Sequence, residues 1–106
     1  MIRGTTPDFL LEIEDYDVSG MTVYVTISQG FRRVTKTNED LIIDITEDGS
    51  EIGLSLTQAD TLGLQVGAAD VQVRMIDRDG HADATEIGTL NVTRVLLEGV
   101  IRSAGA

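Results

Sequence analysis

Cysteine and tryptophan are absent from the 106 residues, and there is one histidine, His81, and one proline, Pro7. Without cysteine there is no disulfide, no thiol nucleophile, no iron–sulfur cluster and no cysteine zinc site. A lone histidine excludes any mechanism that pairs two. Bases are also scarce: eight Lys and Arg stand against 18 Asp and Glu, a net charge of −10. The densest basic group is Arg32, Arg33 and Lys36, too little to offset the repulsion of a phosphate backbone. Only Phe9, Tyr16, Tyr24 and Phe31 are aromatic, which leaves little to stack on bases. Nucleic acid is therefore not an expected partner. No apolar run approaches the roughly 18–20 residues of a membrane-spanning helix, and the first residues lack the apolar stretch of a secretory signal. The expectation is a chain with no membrane partner, in the cytoplasm at synthesis.

What is present suits a core. Hydrophobic residues make up 42% of the chain, and the length fits one domain over 1–106. Period-2 patterning dominates. Met21, Val23, Val25 and Ile27 alternate with Thr22, Tyr24, Thr26 and Ser28, and the same alternation runs through Phe9, Leu11 and Ile13. Leu41, Ile43 and Ile45 form a third face, Ile52, Leu54 and Leu56 a fourth, Val71, Val73 and Met75 a fifth, and Leu90 with Val92 a sixth. Residues 31–35 make a seventh, less regular strand. Between these runs, Gly20, Gly49 and Gly80 follow polar turn residues, and Asp48-Gly49 and Asp79-Gly80 are hairpin signals. Seven short strands at this spacing predict an antiparallel β-sandwich. One stretch reads as helical: Thr57 opens it as a cap, Asp60 stands three residues later, and Gly63 follows its end.

Carboxylates are the abundant reactive groups. Asp77, Asp79, His81 and Asp83 alternate around a turn and imitate a metal loop. Counted from Asp77, a calcium EF-hand would need glycine sixth and glutamate twelfth, where Ala82 and Gly88 stand; counted from Asp44, Gly49 fits but Ser55 replaces the glutamate. Both fail. A looser cation site at Asp77, Asp79 and Asp83 is the remaining metal candidate, against the simpler reading that the turn needs these residues. His81 has no evident orienting partner and reads as a solvated side chain rather than a general base. There is no Gly-x-Ser-x-Gly elbow and no phosphate-binding loop, and a glycosidase cleft lacks its aromatic walls. No catalytic residue and no cofactor is expected, so the chain reads as non-enzymatic.

Two apolar or extended features point to assembly. Val95, Leu96, Leu97, Val100 and Ile101 break the alternation after the last strand, either as a closing strand buried on both faces or as an intermolecular contact. Residues 1–7 form a polar, extended arm, frayed or reaching a neighbouring subunit, and residues 99–106 read as a flexible tail.

Three stretches together carry a resemblance: Met1-Ile2-Arg3-Gly4-Thr5-Thr6-Pro7, then Leu54-Ser55-Leu56-Thr57-Gln58-Ala59-Asp60-Thr61-Leu62 with Val71-Gln72-Val73-Arg74, and Arg94-Val95-Leu96-Leu97-Glu98-Gly99-Val100-Ile101. They resemble small prophage-encoded tail- or baseplate-associated proteins of gut Firmicutes. The resemblance implies an all-β, immunoglobulin-like sandwich similar to the N-terminal domain of phage upper-baseplate proteins. It also implies that Leu54, Leu56, Val71 and Val73 are core, that Thr57 caps the helical turn and that Leu62 packs that turn beneath the sandwich. The expected role is a structural or adaptor component, assembled with other phage structural proteins or with itself, that moves from the bacterial cytoplasm into the virion. The alternative is a surface-displayed host- or glycan-binding module, with Tyr24 as its ligand contact.

Overall fold

The computed structural model describes residues 1–104. The strands are β1 (Asp8–Glu14), β2 (Thr22–Gln29), β3 (Arg32–Thr37), β4 (Leu41–Thr46), β5 (Gly49–Ser55), β6 (Gly67–Ile76), β7 (Ala82–Ala84) and β8 (Gly88–Val92). One helix, α1 (Gln58–Leu62), lies between β5 and β6. The strands form two antiparallel sheets, one ordered β1-β5-β4 and the other β3-β2-β6, with β7 and β8 both pairing the far side of β6. The fold is an all-β sandwich of two sheets.

The alternation read from the sequence places the core. Val23, Val25 and Ile27 of β2, Ile52 and Leu54 of β5 and Val73 and Met75 of β6 are buried between the sheets. Phe9, Leu11 and Ile13 of β1 face the same way but are only half-buried, because β1 is an edge. Gly49, at the β4–β5 turn, has φ of 144°, and a Cβ there would stand 2.1 Å from the Ile13 carbonyl oxygen. Only glycine fits that approach.

Four details differ from the sequence reading. Phe31 is outside its strand, fully exposed at the tip of the β2–β3 turn. An eighth strand, β7, appears because the last strand is broken: Thr85 still exchanges hydrogen bonds with Val73, through its N–H at 2.9 Å and its hydroxyl at 3.1 Å. A step of two residues on β6, from Val71 to Val73, is thus matched by three from Thr85 to Gly88, so one extra residue is bulged out. Leu62 is half-buried, and Leu64, 1% exposed, fills the core beside α1 instead. The buried Ser50 does what apolar patterning cannot: its hydroxyl donates to the Tyr16 carbonyl (2.6 Å) and accepts the Val18 N–H (3.1 Å), pinning the β1–β2 crossover to β5.

The fourth difference is the N-terminal arm. It does not stand free. Ile2 bridges Thr93 in parallel, with Arg3 N–H donating to the Thr93 carbonyl (3.0 Å) and Thr93 N–H to the Met1 carbonyl (2.7 Å). The chain then crosses to the other sheet, where the buried Thr61 hydroxyl donates to the Thr5 carbonyl (2.9 Å). Arg3 fastens this crossing: Nε donates to the Leu64 carbonyl (2.6 Å), one terminal nitrogen to the Leu62 carbonyl (3.0 Å) and the other pairs with Glu98.

The helix has five residues, too few to hold by itself. The Thr57 hydroxyl accepts the Asp60 N–H (3.1 Å) while the Asp60 carboxylate accepts the Thr57 N–H (2.9 Å), a reciprocal cap. Asp60 also pairs with Lys36 at 2.8 Å, reaching from the inner face of β3. Partial burial raises the Asp60 pKa, but the Lys36 and Thr57 interactions outweigh it and leave the carboxyl below its ordinary value. Arg32 covers the Gly63 carbonyl (3.2 Å).

Arg3→Met is expected to cost about 2 kcal/mol, the scale for losing charge-assisted hydrogen bonds to part-buried carbonyls. Arg3→Lys should recover less than half, since one ammonium cannot span acceptors that the planar fork reaches together. Urea denaturation measures both, and a change within about 0.5 kcal/mol would mean that Arg3 is an ordinary surface residue.

Candidate functional site

The structure separates the sequence-derived candidates. Asp77 and Asp79 do come together, but with His81 and not with Asp83. Asp83 lies in β7 opposite buried Met75 and beside Tyr16, whose phenol is pushed above its ordinary pKa by partial burial and then by the Asp83 and Asp77 carboxylates. Asp77 is already occupied. Its Oδ1 accepts the Asp79 and His81 N–H groups, both at 2.9 Å, and its Oδ2 lies 3.4 Å from His81 Nδ1. The His81 N–H chiefly holds the Asp77 carboxyl below its ordinary 3.8, against a desolvation effect, with the Asp79 N–H and the His81 ring adding to it. This is a turn built around a carboxylate.

Tyr24 stands on the outer face of the larger sheet, opposite Arg74 and Thr37. A shallow polar hollow of about 400 Å³ lies on the same face, lined by Thr26, Arg33, Asp70, Gln72 and Arg74 among others, and Tyr24 is not part of its wall.

The C-terminal segment carries the largest apolar exposure. Regular pairing ends at Val92, with a single bridge at Thr93, and residues 94–101 leave the sheet. The closing strand buried on both faces is therefore not formed. Leu96 is 89% exposed, Leu97 69%, Val100 59% and Ile101 58%, while Val95 is half-buried near Gly4. The segment is fastened at two points, the Arg3–Glu98 ion pair and the Gln58 side-chain amide, which donates to the Ile101 carbonyl (3.1 Å) and accepts its N–H (2.8 Å). The tail predicted to fray is pinned at Ile101 in this way; its residues 105–106 lie outside the described residues.

Sequence reasoning missed the edge of β1. Pro7 O accepts the Leu56 N–H and Asp15 N–H donates to Asp48 O, so the odd-numbered residues of β1 face β5. The N–H and C=O groups of Leu10, Glu12 and Glu14 point outward, and among the described residues no other strand pairs with them. Beside this edge the sandwich is open: an apolar hollow of about 400 Å³ is lined by Phe9, Leu11, Ile13, Leu54, Val71 and Leu90. On the outer face of the same sheet Glu12, Glu51 and Asp44 stand in one row across three strands, with no cation within 4 Å among the described residues.

Among the described residues no helix is long and apolar enough to cross a membrane. Compared with known proteins, the chain matches no family model, no curated protein and no solved structure.

The Asp77 turn makes a pH prediction. A carboxyl whose folded pKa lies below its unfolded value stabilises above the unfolded value, and that contribution is lost as pH falls through the folded one. The Asp79 and His81 amide resonances should therefore move together with a midpoint below 3.8, and millimolar calcium should leave the melting temperature unchanged. A midpoint at or above the ordinary value, or a clear rise in melting temperature with calcium, would contradict this account.

Proposed function

We propose that this chain is a non-enzymatic assembly domain, a structural or adaptor component of a phage tail or baseplate that acts through protein–protein contacts. The observation that carries the reading is the C-terminal segment, where Leu96, Leu97, Val100 and Ile101 are held at the surface by polar fasteners instead of being packed inside. A monomer gains nothing from four exposed aliphatic side chains in six residues; a subunit does. The prophage resemblance supplies the setting, with synthesis in the bacterial cytoplasm and a final place in the virion.

The immunoglobulin-like assignment belongs to this proposal and rests on strand order. β1-β5-β4 corresponds to strands B-E-D, and β3-β2-β6 with the broken β7/β8 to C′-C-F-G, with α1 at the E–F crossover. Residues 1–3, parallel to the last strand, take the place of a short first strand.

A second reading, a host- or glycan-binding module, is favoured by the polar hollow on the face that carries Tyr24. Its test is a glycan screen of the chain and of Tyr24→Ala.

For the assembly reading, the test is co-expression with the proteins encoded beside this chain, followed by light scattering of the product. A complex heavier than the single chain is expected. Leu96→Ser combined with Leu97→Ser should abolish it while leaving the unfolding temperature unchanged. A chain monomeric under every condition, or a large drop in unfolding temperature in the double variant, would refute the reading.

A further inference from the structure

We infer that the open edge of β1 is a docking groove for residues 94–102 of a second copy of this chain, taken up as an added strand. The inference rests on the assembly reading and deepens it by naming the partner and its seat.

The open edge of β1 borders the apolar hollow between the sheets, with Gly88, Thr89 and Leu90 of β8 on its other side. An extended segment laid there would meet the outward N–H and C=O groups of Leu10, Glu12 and Glu14 and send alternate side chains into the space lined by Phe9, Leu11, Val71 and Leu90. The neighbouring edge, β8, is closed over its last residues by the chain's own residues 1–3. Among the described residues no strand pairs with the outer edge of β1 or with Gly88–Leu90 on the outer edge of β8.

Charge decides what can enter. Asp8, Glu12 and Glu14 line the edge and Glu86 stands across the hollow, so pairing β1 with β1 of another copy sets acid against acid. The groove selects an extended apolar segment with basic ends. The chain contains one: Arg94-Val95-Leu96-Leu97-Glu98-Gly99-Val100-Ile101-Arg102, nine residues with a net charge of +1 in a protein of net charge −10. Val95, Leu97 and Ile101 share one face at period two, with Gly99 between them. None of these residues lines the groove of its own chain. The tail leaves the sheet at the α1 end, where Arg3 and Gln58 hold it and residues 4–7 cross between it and β1. Its seat is therefore on another molecule.

Sedimentation equilibrium of the full chain and two variants tests this. Glu12→Pro removes an outward N–H that no described residue pairs with, so it blocks the edge without breaking the β1–β5 ladder. Leu97→Asp spoils the inserted face. The wild-type chain should self-associate, each variant alone should do so at least tenfold more weakly, and mixing the two should restore a heterodimer, since one keeps its groove and the other its tail. If Glu12→Pro fails to fold, Glu12→Arg repels the basic ends instead, with the same expected weakening. A wild-type chain that stays monomeric alone overturns the inference, while a complex with co-expressed proteins would leave the assembly reading standing. Association lost in Leu97→Asp but unchanged in the Glu12 variants would overturn it as well, by placing the tail on another surface.

Discussion

The Arg3 guanidinium, clasped to the carbonyls of Leu62 and Leu64, is the contact on which the ends of this fold depend. A five-residue helix has too few internal hydrogen bonds to persist, and its carbonyl end would be orphaned without a donor. Arg3 and Arg32 supply donors at that end, and Lys36 and the Thr57–Asp60 cap secure the other. The N-terminal segment is thereby held against β8, crosses to the second sheet and enters β1. Through Glu98 and Gln58 the same point also steers the C-terminal segment outward. One small polar cluster therefore sets which edge is sealed, which is open and where the apolar tail emerges.

Electrostatics then sorts the surfaces. The acidic row of Glu12, Glu51 and Asp44 lies across the whole smaller sheet with no base within 4 Å among the described residues, an arrangement that costs the monomer some stability through like-charge contacts. Such a cost is understandable where an exposed edge must not pair with its own kind. On the outer face of this sheet are apolar groups that would otherwise invite indiscriminate stacking, Leu10 on β1 and Ile42 on β4, which flank Gly53 between them. The acids keep the edge selective rather than closed.

Much of the fold was legible because it depends on local periodicity. The runs at Val23-Val25-Ile27 and Val73-Met75 could only be half-buried strands, and Asp48-Gly49 and Asp79-Gly80 could only be turns. Thr57 and Asp60 announced the helical turn. What escaped was set by partners far apart in sequence. Ser50 is a core residue because Tyr16 and Val18 need its hydroxyl, and Thr61 because Thr5 does. The last strand's bulge follows from the Thr85 pairing with Val73, which leaves no periodic trace. At the candidate site the exposed residues of 95–101 were visible as broken alternation. The open β1 edge was not, since no pattern within one strand says whether a neighbour exists on its other side.

If β1 carries a free, usable edge, amide hydrogen exchange across a concentration series will register when that edge is taken up. In dilute protein the outward amides of Leu10, Glu12 and Glu14 should exchange rapidly while those of Leu11 and Ile13 are protected. At concentrations where the chain associates, the outward set should gain protection and the inward set should not change. Outward amides that are equally protected at every dilution, or that stay unprotected in the associated state, would contradict the account.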